Sequence, residues 1–89
     1  MLRLTWVDAE SHGRRLLVEG RIVGEWSELL ERECANASMD GGAPELDLSR
    51  TTHVDRQGID ALQRLSERGF RIIGENPLIA EVRKAGGWQ

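Results

Sequence analysis

The chain opens with apolar and polar residues in alternation. Leu2, Leu4 and Trp6 are separated by single polar residues, and this period of two is typical of a half-buried β-strand whose Trp6 points inward. Turn-forming residues follow at positions 11–13, and residues 14–19 have the composition of a second strand. The two segments predict a hairpin. Residues 20–24 are bracketed by glycines and predict a short connector to the next element.

The spacing of apolar residues then changes to that of an amphipathic helix. Five apolar residues share one helical face: Trp26, Leu29, Leu30, Cys34 and Ala37. Glu25 and Glu28 lie in the first turn, where acidic side chains interact favourably with the helix dipole. Because Trp26 begins the apolar face, we expect its indole to anchor the core.

Two further helical patterns follow. The first begins after Asp55 and ends at Gly69, since glycine readily adopts the left-handed backbone that terminates many helices. The second begins at Asn76 and Pro77, a typical N-cap and first helical residue, and ends at residues 86–87. Both carry apolar residues at helical spacing: Ile59, Leu62 and Leu65 in the first, and Leu78, Ile79, Val82 and Ala85 in the second.

The segments between the helices predict a loop, two strands and a connector. Residues 36–44 have loop composition, residues 45–49 and 70–74 predict strands, and residues 50–54 form a polar connector. The predicted order is therefore β-β-α-β-α-β-α, in a single domain over residues 1–89. Helical crossovers between the later strands imply parallel pairing, and the hairpin adds an antiparallel edge, so the fold class is α/β with a mixed sheet.

Composition excludes several classes of function. Twelve Lys and Arg residues against fifteen Asp and Glu residues give a net charge of −3, which argues against a nucleic-acid partner or an anionic membrane surface. A single cysteine allows no intramolecular disulfide and no cysteine-based zinc site. No apolar run is long enough to span a membrane, and the alternating start does not resemble a signal peptide. We therefore expect a cytoplasmic protein without membrane insertion.

Few residues are suited to catalysis. Cys34 lies on the apolar face of the first predicted helix, where a buried structural thiol is favoured over a nucleophile. His12 and His53 fall in a predicted turn and a predicted connector. Asp47 and Asp55 could act as a carboxylate pair only if the fold brought them together. The chain also lacks glycine-rich phosphate-binding motifs, and we expect no enzymatic activity, no metal and no cofactor.

The most informative stretch runs from residue 45 to residue 65. Asp55 is a candidate N-cap that would accept a hydrogen bond from the backbone N–H of Gln57 or Gly58. Glycine in a helix is less favourable than alanine by ~1 kcal/mol, so Gly58 in the first turn suggests that another backbone approaches closely. That backbone could belong to the sheet or to a partner, and Asp55 could contact a partner as well as cap the helix.

This stretch resembles the central motif of STAS domains, which occur as anti-sigma-factor antagonists and in the cytoplasmic part of sulfate transporters. Residues 46–62 read LDLSRTTHVDRQGIDAL, against a family pattern of D-L-S-x-V-x-x-I-D-S-S-G-L-x-x-L. Residues 17–24 (LVEGRIVG) are similar to the family's L-x-G-x-L-x-G strand, and residues 68–77 to its late strand and helix start. The resemblance covers most of the chain, residues 16–86, and implies about four strands with helices on one face.

The resemblance also locates a difference. In phosphorylatable members, the serine just before the helix glycine accepts the phosphoryl group from the anti-sigma kinase. Gln57 occupies that position and Arg56 the preceding one, so the usual acceptor hydroxyl is absent. Ser49, Thr51 and Thr52 keep hydroxyls nearby, which could form turn hydrogen bonds or provide a displaced phosphosite.

Basic residues surround the same position. Arg50, His53 and Arg56 lie near the N-terminus of the second helix, where backbone N–H groups favour anions. They could hold a phosphate, a carboxylate or the acidic face of a partner, or they could simply be solvated.

The resemblance implies a non-catalytic protein-interaction module in bacterial signalling and transcription regulation, like an anti-sigma-factor antagonist without the usual serine. Its partner would be an anti-sigma factor or kinase-like protein. The alternatives are an accessory subunit of a phospholipid-type ABC transporter and a small-ligand or nucleotide-binding domain. Trp88 could pack over the sheet or form an exposed apolar handle. The predicted partner-binding residues are Arg50, Thr51, Thr52, His53, Asp55, Arg56, Gln57 and Gly58.

Overall fold

The computed structural model describes residues 1–9, 13–36, 44–74 and 76–86. In this part of the chain, four strands and three helices follow one another in the predicted order. They are β1 (Leu2–Ala9), β2 (Gly13–Ile22), α1 (Glu25–Ala35), β3 (Glu45–Val54), α2 (Arg56–Glu67), β4 (Arg71–Ile73) and α3 (Pro77–Gly86). Ser11 and His12 of the predicted turn, most of the predicted loop at 36–44, and Trp88 lie outside the described residues.

The strands form one mixed sheet in the order β1-β2-β3-β4. β1 and β2 pair antiparallel as the predicted hairpin, with Leu4 opposite Val18. β2 and β3 pair parallel, with Leu16 opposite Leu46, and β4 pairs parallel with the other edge of β3. α1 and α2 each connect two parallel strands, as crossover helices do. The predicted α/β class and mixed sheet are confirmed.

The core lies between one face of the sheet and the three helices. Side chains of a strand point alternately to its two faces, and one set is buried in β2 and β3: Leu16, Val18, Leu46 and Leu48. The helices contribute to the same cluster with Leu30, Leu62, Leu65 and Ile79. The alternate strand residues, such as Leu17 and Asp47, are only partly buried. The helices therefore cover one face, as the STAS resemblance implies.

β2 and β3 are longer than the sequence predicts. Residues 50–54 belong to β3 and are not a connector, and residues 20–22 belong to β2. The polar composition misled the prediction because a polar side chain can bond within a sheet. Thr51 is buried, and its Oγ1 donates a hydrogen bond to the carbonyl oxygen of Val18 at 3.1 Å. Threonine is also β-branched, which suits a strand.

Trp26 does not anchor the core, contrary to the prediction. It is 39% exposed, whereas the buried residues of α1 are Ser27, Leu30 and Cys34. Successive side chains point in directions about 100° apart around a helix. Because Ser27 points into the core, its neighbour Trp26 points towards solvent.

Trp6 packs against the core, as predicted. The Arg14 guanidinium lies over its ring, 4.5 Å from the ring centre. The indole N–H donates a hydrogen bond to Glu33 Oε1 at 3.1 Å, so the side chain also links the hairpin to α1.

The predicted helix ends are confirmed at two places. Asn76 Oδ1 accepts a hydrogen bond from the backbone N–H of Ile79 at 3.0 Å, which makes Asn76 the N-cap of α3. Gly69 follows α2 with a φ of 102°, a conformation that favours glycine. The helices in the described part of the chain are too short and too polar to cross a lipid bilayer.

Candidate functional site

Two helix N-termini meet at one edge of the sheet. β2 and β3 run parallel and end side by side, with Ile22 opposite Val54. α1 and α2 begin almost directly after these strands, so their first turns lie next to each other. Ligand sites of α/β folds are often found at the carboxyl ends of parallel strands. The predicted partner-binding residues 55–58 lie at this edge.

The Asp55 carboxylate accepts hydrogen bonds from the start of α2 and from the turn before α1. Its Oδ1 accepts a hydrogen bond from the backbone N–H of Gly58 at 2.8 Å, which confirms the predicted N-cap. Its Oδ2 accepts a second hydrogen bond, from the backbone N–H of Gly24 at 3.0 Å, in the turn before α1. Gly24 has φ 52° and ψ −130°, a backbone conformation that side chains disfavour. One carboxylate therefore caps α2 and holds the turn that starts α1.

The close packing of α2 against the sheet requires glycine at position 58. A Cβ at this position would lie 2.1 Å from the carbonyl oxygen of Ile22 and 2.8 Å from Val54 Cγ1. Both distances are far below van der Waals contact. The close approach that the sequence suggests is therefore to the backbone of β2, and Gly58 lets α2 start directly against the sheet.

The predicted partner-binding residues divide into two groups. Thr51 and Gly58 are buried, and Asp55 is half-buried with both carboxylate oxygens engaged. The remaining five have exposed side chains along β3 or in the first turn of α2: Arg50, Thr52, His53, Arg56 and Gln57. The exposed residues can therefore contact a partner directly. The buried and half-buried residues hold the strand end and the helix start in place.

The basic residues do not converge on one point. The Arg50 guanidinium lies 3.9 Å from Glu19 Oε2, and Arg56 Nε lies 3.4 Å from Asp60 Oδ1. His53 is about 10 Å along β3 from Arg50, given the rise of a strand. Each arginine is mostly exposed and has its own carboxylate, so these contacts favour solvated cations over a shared anion pocket.

The hydroxyls near Gln57 are part of the sheet. Thr52 Oγ1 donates a hydrogen bond to the carbonyl oxygen of Gly20 at 3.0 Å, next to the bond that Thr51 makes to β2. Ser49 is exposed, and its backbone N–H donates to Asp47 Oδ1 at 2.9 Å. The threonine hydroxyls therefore serve strand pairing, where the sequence suggested turns.

The candidate catalytic groups stay apart. Asp47 and Asp55 lie near opposite ends of β3, roughly 25 Å from each other at the rise of a strand, and form no carboxylate pair. Cys34 is fully buried, and burial raises the pKa of its thiol to about 12. A thiol with that pKa is a poor nucleophile, because the thiolate is the reactive form. The described residues contain no group of three potential metal ligands.

A groove of about 220 Å³ runs between α1 and α2 beside Gln57. Ser27 lines this groove, and its buried Oγ has no hydrogen-bond partner among the described residues. Arg64 of α2 bridges the groove by donating two hydrogen bonds to the Glu31 carboxylate of α1, at 2.9 and 2.6 Å. These bonds lower the pKa of Glu31.

Sequence reasoning missed three features of this edge. The second acceptor role of Asp55 joins residues that are 31 positions apart, and the bridge between Arg64 and Glu31 joins residues 33 apart. No local pattern reveals such pairs. The buried hydroxyl of Ser27 could have been suspected, because a small polar residue there lies on the same helical face as Leu30 and Cys34.

No protein-family model matches the sequence, and no curated protein matches it. Solved structures do match the fold. The anti-sigma factor antagonist from Mycobacterium paratuberculosis matches with a TM-score of 0.81 at 19% sequence identity, over 98% of this chain and 79% of that chain. The STAS domain of the antisigma-factor antagonist from Rhodobacter sphaeroides matches with a TM-score of 0.66 at 22% identity, over 88% of this chain and 91% of that chain.

A membrane transporter contains a similar unit. The anion transporter murine Solute Carrier 26 family member A9, in its inward-facing state, matches with a TM-score of 0.54 at 14% identity. The match covers 93% of this chain and 18% of the transporter. The TM-scores show a shared fold, and sequence identities of 14–22% limit the conclusion to the fold. The chain has the STAS fold of the anti-sigma-factor antagonists.

Proposed function

We propose that this chain is a protein-binding module of bacterial signalling and transcription regulation, an anti-sigma-factor antagonist that lacks the usual phosphorylatable serine. Gln57 carries the proposal. It is exposed in the first turn of α2, at the position where the STAS resemblance places the phosphoacceptor. Glutamine has no hydroxyl to accept a phosphoryl group. The module would then remain in one state, where phosphorylatable relatives alternate between two.

The proposed partner-binding surface consists of the C-terminal end of β3 and the first turn of α2. Arg56 and Gln57 face the partner, while Asp55 and Gly58 fix the position of the helix start. The partner is an anti-sigma factor or a kinase-like protein. The net charge of −3 supports a protein partner over a nucleic acid, and we propose a cytoplasmic location.

We propose that the module has no catalytic activity. The buried thiol of Cys34 and the separation of Asp47 from Asp55 both support binding as the activity. A second candidate, an accessory subunit of a phospholipid-type ABC transporter, is supported by the similar unit in the anion transporter. The two candidates differ in the protein that co-purifies with the chain: a sigma-regulating kinase-like protein in the first, and an ATPase subunit in the second.

The first test asks whether the absence of a hydroxyl at position 57 prevents phosphorylation. We expect incubation with an anti-sigma kinase and ATP to leave the wild-type mass unchanged, and the Gln57→Ser variant to gain one phosphate, since its hydroxyl would be exposed at the start of α2. Intact-mass spectrometry with peptide mapping measures both. A phosphate on wild-type Ser49, Thr51 or Thr52 would contradict the proposal, because the switch would then have moved along β3.

The second test concerns the charge of Arg56. Its side chain is 86% exposed and lies in the first turn of α2. We expect Arg56→Glu to slow association with the partner, because exposed charges at an interface act mainly on the association rate and its salt dependence. Stability should change by less than about 0.5 kcal/mol, since an exposed acidic residue suits a first helical turn.

Binding kinetics and melting temperature of Arg56→Glu are measured together. The matched control is Arg71→Glu in β4, an equal charge reversal on an exposed residue at the other edge of β3. Normal association of Arg56→Glu, with a normal melting temperature, would place the partner surface elsewhere on the molecule.

A further inference from the structure

Trp26 is the exposed tryptophan of the described chain, and its surroundings differ from those of Trp6. The Trp6 ring is covered by the Arg14 guanidinium, and its N–H is bonded to the Glu33 carboxylate. Trp26 is 39% exposed. No cation covers its ring among the described residues, and no acceptor there binds its N–H. An exposed, unpartnered indole is a typical anchor of protein interfaces, in which tryptophan and arginine are enriched.

Two carboxylates line the same cavity as this indole. Glu25 and Glu28 flank Trp26 on α1 and, with it, line a shallow cavity of about 310 Å³. Neither carboxylate forms an ion pair in the described part of the chain. Leu29 contributes apolar surface to the cavity, and Arg32 contributes one cation. The cavity thus has an aromatic surface and an excess of negative charge.

The cavity adjoins the proposed partner surface. Glu28 lines both this cavity and the groove between α1 and α2, and Gln57 lines the other side of that groove. Ser27, whose buried hydroxyl has no hydrogen-bond partner among the described residues, also lines the groove. A protein seated on Gln57 would therefore extend over Glu28 towards Trp26.

We propose that Trp26, Glu25 and Glu28 bind an arginine side chain presented by a segment of the partner protein, with an adjacent apolar residue of that segment against Leu29. Arginine fits better than lysine because its planar guanidinium stacks on an indole and pairs with a carboxylate at the same time. Inside the chain, the Arg14 guanidinium already lies over the Trp6 ring, 4.5 Å from the ring centre. This proposal rests on the proposed function and adds the chemistry of the partner.

The test uses the intact protein and a displayed library of random dodecapeptides, selected on wild type. We expect enriched peptides to contain arginine next to an apolar residue. Affinity of the synthesised peptides should fall at least tenfold with Trp26→Ala, the loss typical of an interface anchor, and several-fold with Glu28→Gln. It should also fall when the peptide arginine is replaced by lysine.

Two controls keep the outcomes distinct. Glu81→Gln removes one exposed carboxylate from α3 and should bind as wild type does. Circular dichroism should show Trp26→Ala and Glu28→Gln folded, because both side chains are exposed on α1.

Several results would overturn the inference: failure to enrich any peptide, equal binding by Trp26→Ala, or equal binding of the lysine peptide. If Trp26→Ala binds normally while Arg56→Glu does not, the arginine pocket is wrong and the partner surface on α2 stands. If no anti-sigma factor or kinase-like protein co-purifies with the wild-type chain, the proposed function fails, whichever peptides are enriched.

Discussion

Replacing Gly58 with alanine should destabilise the protein by about 3 kcal/mol, at the upper end of the range for overpacked sites. The added Cβ would lie 2.1 Å from the carbonyl oxygen of Ile22. That carbonyl cannot easily retreat, because it also accepts a hydrogen bond from the backbone N–H of Asp55 at 3.3 Å. Val54 Cγ1 blocks the other direction at 2.8 Å. The first turn of α2 must then move away from the sheet.

The measurement is thermal unfolding of Gly58→Ala against wild type. For a domain of this size, 3 kcal/mol corresponds to a fall in melting temperature of roughly 12–24 °C. Gln63→Ala is the matched control, since Gln63 is exposed on the same helix and alanine favours helices. It should change stability by less than about 0.5 kcal/mol. A Gly58→Ala variant that melts within a few degrees of wild type would show that the approach of α2 to β2 is not a constraint.

Much of the fold could be predicted from local patterns. The order of elements, the hairpin and the mixed sheet follow from the period of the apolar residues, and the cap at Asn76 follows from a local side-chain bond. Gly58 could be flagged as a close approach because glycine is unfavourable in a helix without such a reason. The sequence could not name Ile22 as the neighbour, because that contact depends on how α2 packs on β2.

The errors have a common physical origin. Residues 50–54 are polar, but the hydroxyl of Thr51 finds its acceptor on a neighbouring strand, so polarity did not indicate exposure. Trp26 is apolar, but α1 turns Ser27 and Leu30 towards the sheet and leaves the indole outside. Both errors concern which side chains of a helix or strand face the core. Tertiary packing determines this, and the hydrophobic pattern along the sequence locates the buried face only to within about one residue.

The candidate site illustrates the same limit. Asp55 could be predicted as a cap, because an acidic residue before an apolar helical pattern commonly has that role. Its bond to Gly24 could not, since it requires β2 and β3 to end side by side. This second bond makes Asp55 more than a cap, and its removal should therefore have a larger effect than the loss of a cap alone.

Asp55→Ala should destabilise the protein by about 2–3 kcal/mol. Loss of an N-cap accounts for about 1 kcal/mol, and an N–H left without its acceptor at a partly buried position adds a further 1–2 kcal/mol. Both the Gly58 and the Gly24 N–H groups lose their acceptor at once. Thermal unfolding measures the total, which corresponds to a fall in melting temperature of roughly 8–24 °C.

Asp55→Asn separates the two bonds. The amide of asparagine has one acceptor oxygen, so it can keep the cap on Gly58, but its NH₂ group then faces the N–H of Gly24, and two donors cannot bond. The variant should lose about 1 kcal/mol, less than Asp55→Ala. Amide hydrogen exchange followed by NMR identifies the bond: Gly24 should exchange faster in Asp55→Asn, while Gly58 stays protected, and both should exchange faster in Asp55→Ala. Unchanged exchange at Gly24 in Asp55→Asn would mean that the second carboxylate oxygen does not hold the turn before α1, and that the two helix starts are joined only through the sheet.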